Sequence, residues 1–191
     1  ALGYSKNDIV NEFYKKENYF YDTKTQKWKT KFDPENYKAK NISEEIINAK
    51  NNKVVAKIGE KINFLTAKKF ANDGLKEIYV SNESLYGKYL HKDIIIGEEK
   101  FRIGTELNES ILQNFIESNI STLEISITNS INKGPYLLQT LLNDKNENKS
   151  DAITEIYKVL RPGEPPTIEI ASLIFNNLYF SSDRYDLSDV G

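Results

Sequence analysis

Residues 59–80 and 104–125 repeat each other at an offset of 45. Gly59 falls on Gly104, Ile62 on Leu107, Phe70 on Phe115, Leu75 on Ile120, Ile78 on Leu123 and Val80 on Ile125. No other feature of the chain restricts its fold as much. In each copy a glycine turn leads into a short stretch of helical apolar spacing, then into an apolar run of strand length. Thr66 and Asn108 are the expected helix N-caps, because a side-chain oxygen there can accept an orphan amide of the first turn. Two copies are too few for a solenoid, in which units bury their apolar faces by stacking on several neighbours. A duplicated α+β subdomain is the expectation.

The flanking segments carry their own local signals. NYFYDTKTQKWKTKF, Asn18 to Phe32, puts aromatic runs around a polar turn, a β-hairpin pattern. A second hairpin is expected about Asn51-Asn52, with Ile46 on one side and Val54-Val55 on the other. Residues 4–15 spell a short helix: Ser5 followed by Asp8 resembles a capping box, and Ile9, Val10, Phe13 and Tyr14 form an apolar stripe. The last third turns helical. Ser150 or Asp151 is expected to cap a helix carrying Ile153, Ile156, Tyr157 and Leu160. Thr167 is expected to cap another, carrying Ile168, Ala171, Ile174, Phe175 and Leu178. Between them lies KVLRPGEPPT, Lys158 to Thr167. Pro162 disfavours the α region at Arg161 and donates no amide, Gly163 permits a turn, and Pro165-Pro166 hold an extended path. The result is a stiff corner between two amphipathic helices. Proline at a compatible site also restricts the unfolded chain, by roughly 0.4–1 kcal/mol.

Composition removes several function classes. With 191 residues, 39% hydrophobic and 28% charged, the chain can bury a sizeable core as one domain or two small ones. A formal net charge of -2 gives no overall electrostatic case for nucleic-acid binding. Without cysteine there is no disulfide framework and no thiolate metal site, which fits a reducing cytosol. The sequence shows no signal peptide and no apolar run of membrane-crossing length. It shows no phosphate-binding glycine loop, serine elbow or zinc spacing. Methionine is absent even at position 1, so the chain reads as a piece excised from something longer.

His91, the single histidine, reads as a surface residue, since a catalytic imidazole would need a nucleophile or an orienting carboxylate. The lysines between Lys15 and Lys40 are interleaved with Tyr19, Phe20, Tyr21 and Trp28. That pattern could be a single-strand stacking face; a two-sided hairpin with a solvated lysine face is the expected form. Glu44-Glu45 and Glu98-Glu99 have no partner that points to acid/base work. In DRYDLSD, Asp183 to Asp189, carboxylates recur at three-residue spacing. Calcium loops need denser ligands and a fitting glycine, so helix capping and an Arg184 ion pair are expected instead. On its own, RPGEPP is a proline corner with no partner.

The run IYKVLRPGEPPTIEIASLIFNNLYFSSDRYDLSDVG, Ile156 to Gly191, closely resembles the β subunit of bacterial multisubunit RNA polymerase. RPGEPP followed by DRYDLS, in that order, is a long signature. GPYLLQTL, Gly134 to Leu141, resembles the same family just upstream. ALGYSKNDIVNEFY at the start resembles the helix that precedes a lineage-specific insertion, and LYGKYLHKDI, Leu85 to Ile94, resembles a Gly-Lys segment within it. Residues 17–132 match in layout only.

With the hairpins and the duplicated turn-helix-strand unit read above, the resemblance implies an α+β architecture: a small, mainly helical remnant of a lobe plus an inserted α+β subdomain that holds them. The lobe would comprise residues 1–16 and 133–191, and the insertion 17–132. It implies a non-catalytic lobe facing DNA in the cleft of a cytoplasmic nucleotidyltransferase, with Arg161 and Arg184 as nucleic-acid-binding residues. A guanidinium suits that task because its planar fork can hold two phosphate oxygens. No catalytic residue, metal site or cofactor falls within the stretch, since the Mg2+ ligands of the family lie in the other large subunit. Implied partners are the α, β′ and ω subunits, a σ factor and DNA, with the insertion available to a regulator and no membrane involved. The other reading is a stand-alone α+β protein-interaction module without enzymatic role, built on the duplicated middle. The encoded residues beyond Gly191 separate the two: a long continuing frame favours the polymerase, a stop codon the module.

Overall fold

The structure, a computed structural model, describes residues 1–37, 40–129 and 133–184. The fold is α+β, and the chain divides into two compact units. One comprises Ala1–Ser5 with Asn143–Gly191, the other Lys6–Leu142.

The larger unit opens with helix α1, Lys6–Phe13, and the expected hairpin, β1 Lys16–Asp22 and β2 Lys27–Lys31. Its register pairs Tyr19 with Thr30 and Tyr21 with Trp28. The alternation is two-sided: Tyr19 and Trp28 are buried, while Lys27 and Lys31 are exposed on the opposite face. Next come the short strands β3 Lys40–Asn41, β4 Ile46–Asn48, β5 Val54–Ala56 and β6 Lys61–Ile62. β4 and β5 form the second expected hairpin, with Asn52 in the turn at φ 56°.

The repeat is present and sharper than its apolar spacing alone showed. Helix α2, Phe64–Asn72, and strand β7, Glu77–Val80, recur 45 residues later in α3, Glu109–Glu117, and β11, Thr122–Ser126. Both helices begin on an asparagine: Asn63 accepts from the Thr66 amide and Asn108 from the Ile111 amide, each at 2.9 Å. Thr66 is therefore not the cap, as expected above, but the residue whose amide the cap receives. Both helices end alike, with Leu75 N bonded to Phe70 O at 3.0 Å and Ile120 N to Phe115 O at 2.8 Å. Gly74 and Asn119 supply the left-handed residue just before each of these amides. Strands β8 Tyr89–Leu90, β9 Ile94–Ile96 and β10 Glu99–Phe101 lie between the two copies.

The two copies flank the hairpin. The sheet order is β5-β4-β7-β2-β1-β11-β8, with every neighbouring pair antiparallel. Each copy carries its own core. In the second, Leu107, Leu112, Phe115, Leu123 and Ile125 pack with Tyr19 and Trp28 of the hairpin. In the first, Ile62, Ala67 and Leu75 pack with Phe32, Ile46 and Ala56. A third cluster joins Val10 and Tyr14 to Ile103 and to Leu138 and Leu141 of α4, Tyr136–Asn143.

The smaller unit is a helix pair, α5 Lys149–Leu160 and α6 Ile168–Tyr179. Ile153 and Tyr157 of α5 pack on Ala171 and Phe175 of α6. α5 is capped by Asn148, which accepts from the Asp151 amide at 2.9 Å. The expected caps Ser150 and Asp151 lie inside the first turn, and Asp151 is again the donor to the true cap. Thr167 does cap α6, accepting from the Ile170 amide.

Candidate nucleic-acid interface

The corner between α5 and α6 is where the sequence placed its main site residue. Arg161 is the C-cap of α5, at φ -132° and ψ 70°, and its amide still bonds to Tyr157 O at 2.8 Å. Those dihedrals are not helical, in keeping with the proline that follows. The turn then closes through Glu164 N to Arg161 O at 3.3 Å, with Gly163 at φ +89°. Pro162, Gly163 and Pro165 are exposed, so the corner faces solvent.

Arg161 points away from the packed face of α5. Its side chain is 56% exposed and its Nη1 lies 3.5 Å from Glu164 Oε1. Glu164 is held from the other side: the buried Tyr157 hydroxyl donates to its Oε2 at 2.9 Å. The carboxylate at the phenol raises the Tyr157 pKa, chiefly through this hydrogen bond and then through burial. Tyr157 appeared in the sequence only as part of an apolar stripe, and Glu164 only as part of a proline corner. A tyrosine in an apolar stripe has to place its hydroxyl somewhere polar, and that was the available signal. From Glu155 to Glu169 the chain carries Lys158 and Arg161 against Glu155, Glu164 and Glu169. The corner is thus an exposed arginine in a slightly acidic neighbourhood, not a basic patch.

Arg184 lies beyond the other end of α6, exposed, with its amide bonded to Ser181 O at 3.1 Å. The 12-residue α6 between the two arginines is about 18 Å long. The rest of DRYDLSD, from Tyr185 onward, falls outside the described residues. Among the described residues, no group of three or more His, Asp or Glu could hold a metal ion. No helix among them is long and apolar enough to cross a membrane.

The lysine face of the hairpin is tied into cross-strand ion pairs. Lys16 pairs with Glu124 at 2.6 Å and Lys29 with Glu77 at 3.6 Å. Of the four aromatic residues among these lysines, Tyr19 and Trp28 face the core and Tyr21 packs against it, which leaves Phe20, 40% exposed, as a single ring where a stacking platform needs several. Lys88, from the LYGKYLHKDI segment, donates to the Tyr19 hydroxyl at 2.6 Å, which donates to Glu17 at 2.8 Å. Burial pulls the Lys88 pKa down, partly offset by Glu17 and Glu44.

His91 is not a surface residue. It is 2% exposed and bridges two elements, with Nε2 2.9 Å from Asn11 Oδ1 of α1 and Nδ1 2.9 Å from Ser126 Oγ of β11. Asn11 Oδ1 can only accept, so Nε2 carries the ring proton and Nδ1 accepts from the serine hydroxyl. Both ring nitrogens are satisfied in the neutral form. Burial lowers the His91 pKa, nearby Lys16 adds to the shift, and Glu124 opposes it. A pKa below the ordinary value near 6.5 means that the folded state binds fewer protons than the unfolded chain. Stability from this residue is therefore fully present above about pH 6.5 and falls as the pH drops through and below that value. In urea unfolding of the chain at about pH 7.5 and 5.5, His91→Gln should lose less stability on acidification than the wild type. An equal loss in both would show that His91 is not the acid-sensitive group.

The chain is similar along its whole length to bacterial polymerase subunits. It is 37% identical to DNA-directed RNA polymerase subunit beta of Rhizobium leguminosarum over 194 aligned positions, covering 100% of this chain. The corresponding subunits of Rickettsia conorii and Caulobacter vibrioides are 35% and 36% identical over the same span. The chain belongs to the β-subunit family of DNA-directed RNA polymerase. It spans 14% of the length of these curated relatives. The aligned span takes in the duplicated middle as well as the two ends. No protein-family profile matches the chain.

Proposed function

We propose that this stretch is a non-catalytic lobe of the β subunit that lines the DNA cleft during transcription. Residues 1–16 and 133–191 would form the lobe, and residues 17–132 an inserted surface subdomain. In the structure, Val10 of α1 and Leu138 and Leu141 of α4 share a core cluster with Ile103 of the middle stretch. Arg161 and Arg184 would face the DNA backbone. Bond-making, with its Mg2+, would belong to the other large subunit. DNA, the α, β′ and ω subunits and a σ factor would be the partners, and a regulator could dock on the insertion. The stand-alone module is less well supported, because the middle and the ends match the same relatives together.

The observation that carries the site is the exposed Arg161 at a proline-stiffened corner. A preset corner limits the ordering cost of a contact. A phosphate contact ignores base identity, which suits an enzyme that must transcribe any sequence. Arg161→Ala in the whole polymerase should weaken promoter complexes at all sequences alike. The slope of log K against log salt should become shallower by about 0.9, one phosphate's worth. An unchanged slope, or weakening confined to certain promoter sequences, would count against the reading.

A further inference from the structure

We infer that Glu164, pinned by the buried Tyr157, is a built-in counter-charge that keeps the grip of Arg161 on DNA shallow. The inference rests on the reading of Arg161 as a phosphate contact. Three residues form a hydrogen-bonded chain at the corner. Tyr157 O–H donates to Glu164 Oε2 at 2.9 Å, and Glu164 Oε1 lies 3.5 Å from Arg161 Nη1. Tyr157 is 3% exposed and packs with Ile153, Ala171 and Phe175, so its hydroxyl is a fixed post. The backbone adds a second tie, with Glu164 N bonded to Arg161 O at 3.3 Å. The tyrosine bond favours a carboxylate that stays beside Arg161 when another anion approaches.

The consequence is electrostatic. Arg161 and Glu164 are 56% and 54% exposed, so their pair is loose and solvent-screened. A DNA phosphate can displace the carboxylate from the guanidinium. The carboxylate stays nearby, and its charge continues to repel the phosphate, modestly because both groups are exposed to solvent. Lys158 does not compensate, since it pairs with Glu155 one turn back. A duplex that has to move past the corner at every step gains from contacts that are easily broken. A corner built for tight binding would have left Arg161 without a tethered carboxylate.

The test uses reconstituted polymerase carrying this β subunit, with promoter-complex Kd measured from about 50 to 200 mM salt, the range over which phosphate contacts dominate the response. Glu164→Gln keeps the shape and the Tyr157 contact but removes the charge. It should tighten binding about twofold to fivefold at low salt and steepen the slope by about half a unit to one unit. Tyr157→Phe should act in the same direction, more weakly. Glu155→Gln, an equal charge change on Lys158's partner, should move the slope less. In an Arg161→Ala background, Glu164→Gln should add little, because without the guanidinium no phosphate is held beside the carboxylate. A gain that persists in that background would be general charge repulsion and would overturn the inference. So would Glu164→Gln leaving affinity and slope unchanged, or weakening binding, while Arg161→Ala weakens it. If Arg161→Ala itself has no effect, the phosphate-contact reading fails, and this inference with it. Should Tyr157→Phe unfold the helix pair, Glu164→Gln alone decides.

Discussion

Replacing Gly104 by alanine should destabilise the fold by about 2–5 kcal/mol, while the same change at Gly59 should cost about 1–2 kcal/mol. The two glycines occupy the same place in the repeat and share a left-handed backbone, φ +83° and +85°. The backbone term is therefore common to both: an L-residue in that region costs about 1–2 kcal/mol. Their surroundings differ. A Cβ on Gly59 would meet nothing within 4 Å. On Gly104 it would lie 2.5 Å from the carbonyl oxygen of Leu138, 3.0 Å from its carbonyl carbon and 3.3 Å from its Cβ. Two of those three atoms are backbone within helix α4, and Leu138 is fully buried beside Val10 and Ile103. Relief would require α4 to shift, which adds an overpacking cost of about 1–3 kcal/mol. Urea unfolding of the two alanine variants measures the difference directly. Equal midpoints would mean that α4 yields without cost, and the close approach would not be a constraint.

The contrast between the two glycines also separates what is legible in the sequence from what is not. Gly59 and Gly104 align by offset, so the shared turn was readable. That only one of them abuts a helix depends on α4, which lies outside the repeat. The same division runs through the helix starts. At α2 and α5 the expected caps were Thr66 and Ser150 or Asp151, and the observed caps are Asn63 and Asn148. Apolar spacing identifies which face of a helix is buried, but several cap-competent residues can fall within one turn. The path of the incoming chain decides among them, and at α2 that path is set by β6 ending at Ile62. The hairpins were readable because their pairing is local. The sheet order was not, since β7 and β11 reach the hairpin across long stretches of chain.

His91 shows a different limit. A lone histidine carries no periodic signal, and its burial depends on Asn11 and Ser126, 80 and 35 residues away. The candidate interface was legible in outline: the corner, its exposed arginine and the Thr167 cap followed from Pro162, Gly163 and the Pro165-Pro166 pair. The Tyr157–Glu164 bond was not, because it closes across the corner, and the reach between those side chains exists only once the turn is folded. Charge balance pointed the right way without that detail. A net charge of -2 argued against a strongly basic DNA-binding face, and the corner itself carries more acid than base.

Trp28→Ala should be the other severe substitution, costing about 3–5 kcal/mol. Trp28 has no exposed surface and sits on β2, near the middle of the sheet, in register with Tyr21 on one side and Val80 on the other. Its ring packs 5.0 Å from Tyr21, within the core that joins the hairpin to Leu112, Phe115 and Leu123 of the second copy. Truncation would open a cavity where the hairpin meets that copy, and strands paired on both sides cannot collapse to fill it. Trp28→Phe should cost clearly less. Phenylalanine retains most of the apolar area, and the indole N–H it removes has no acceptor in reach among the described residues. A buried donor without a partner already weakens the native state, by about 1–3 kcal/mol, so deleting it offsets part of the lost packing. Because Trp28 is the only tryptophan, both variants have to be followed by far-ultraviolet circular dichroism instead of intrinsic fluorescence. If Trp28→Phe proves as damaging as Trp28→Ala, the indole nitrogen is making a contact that stabilises the fold, and the argument for a tolerated phenylalanine collapses.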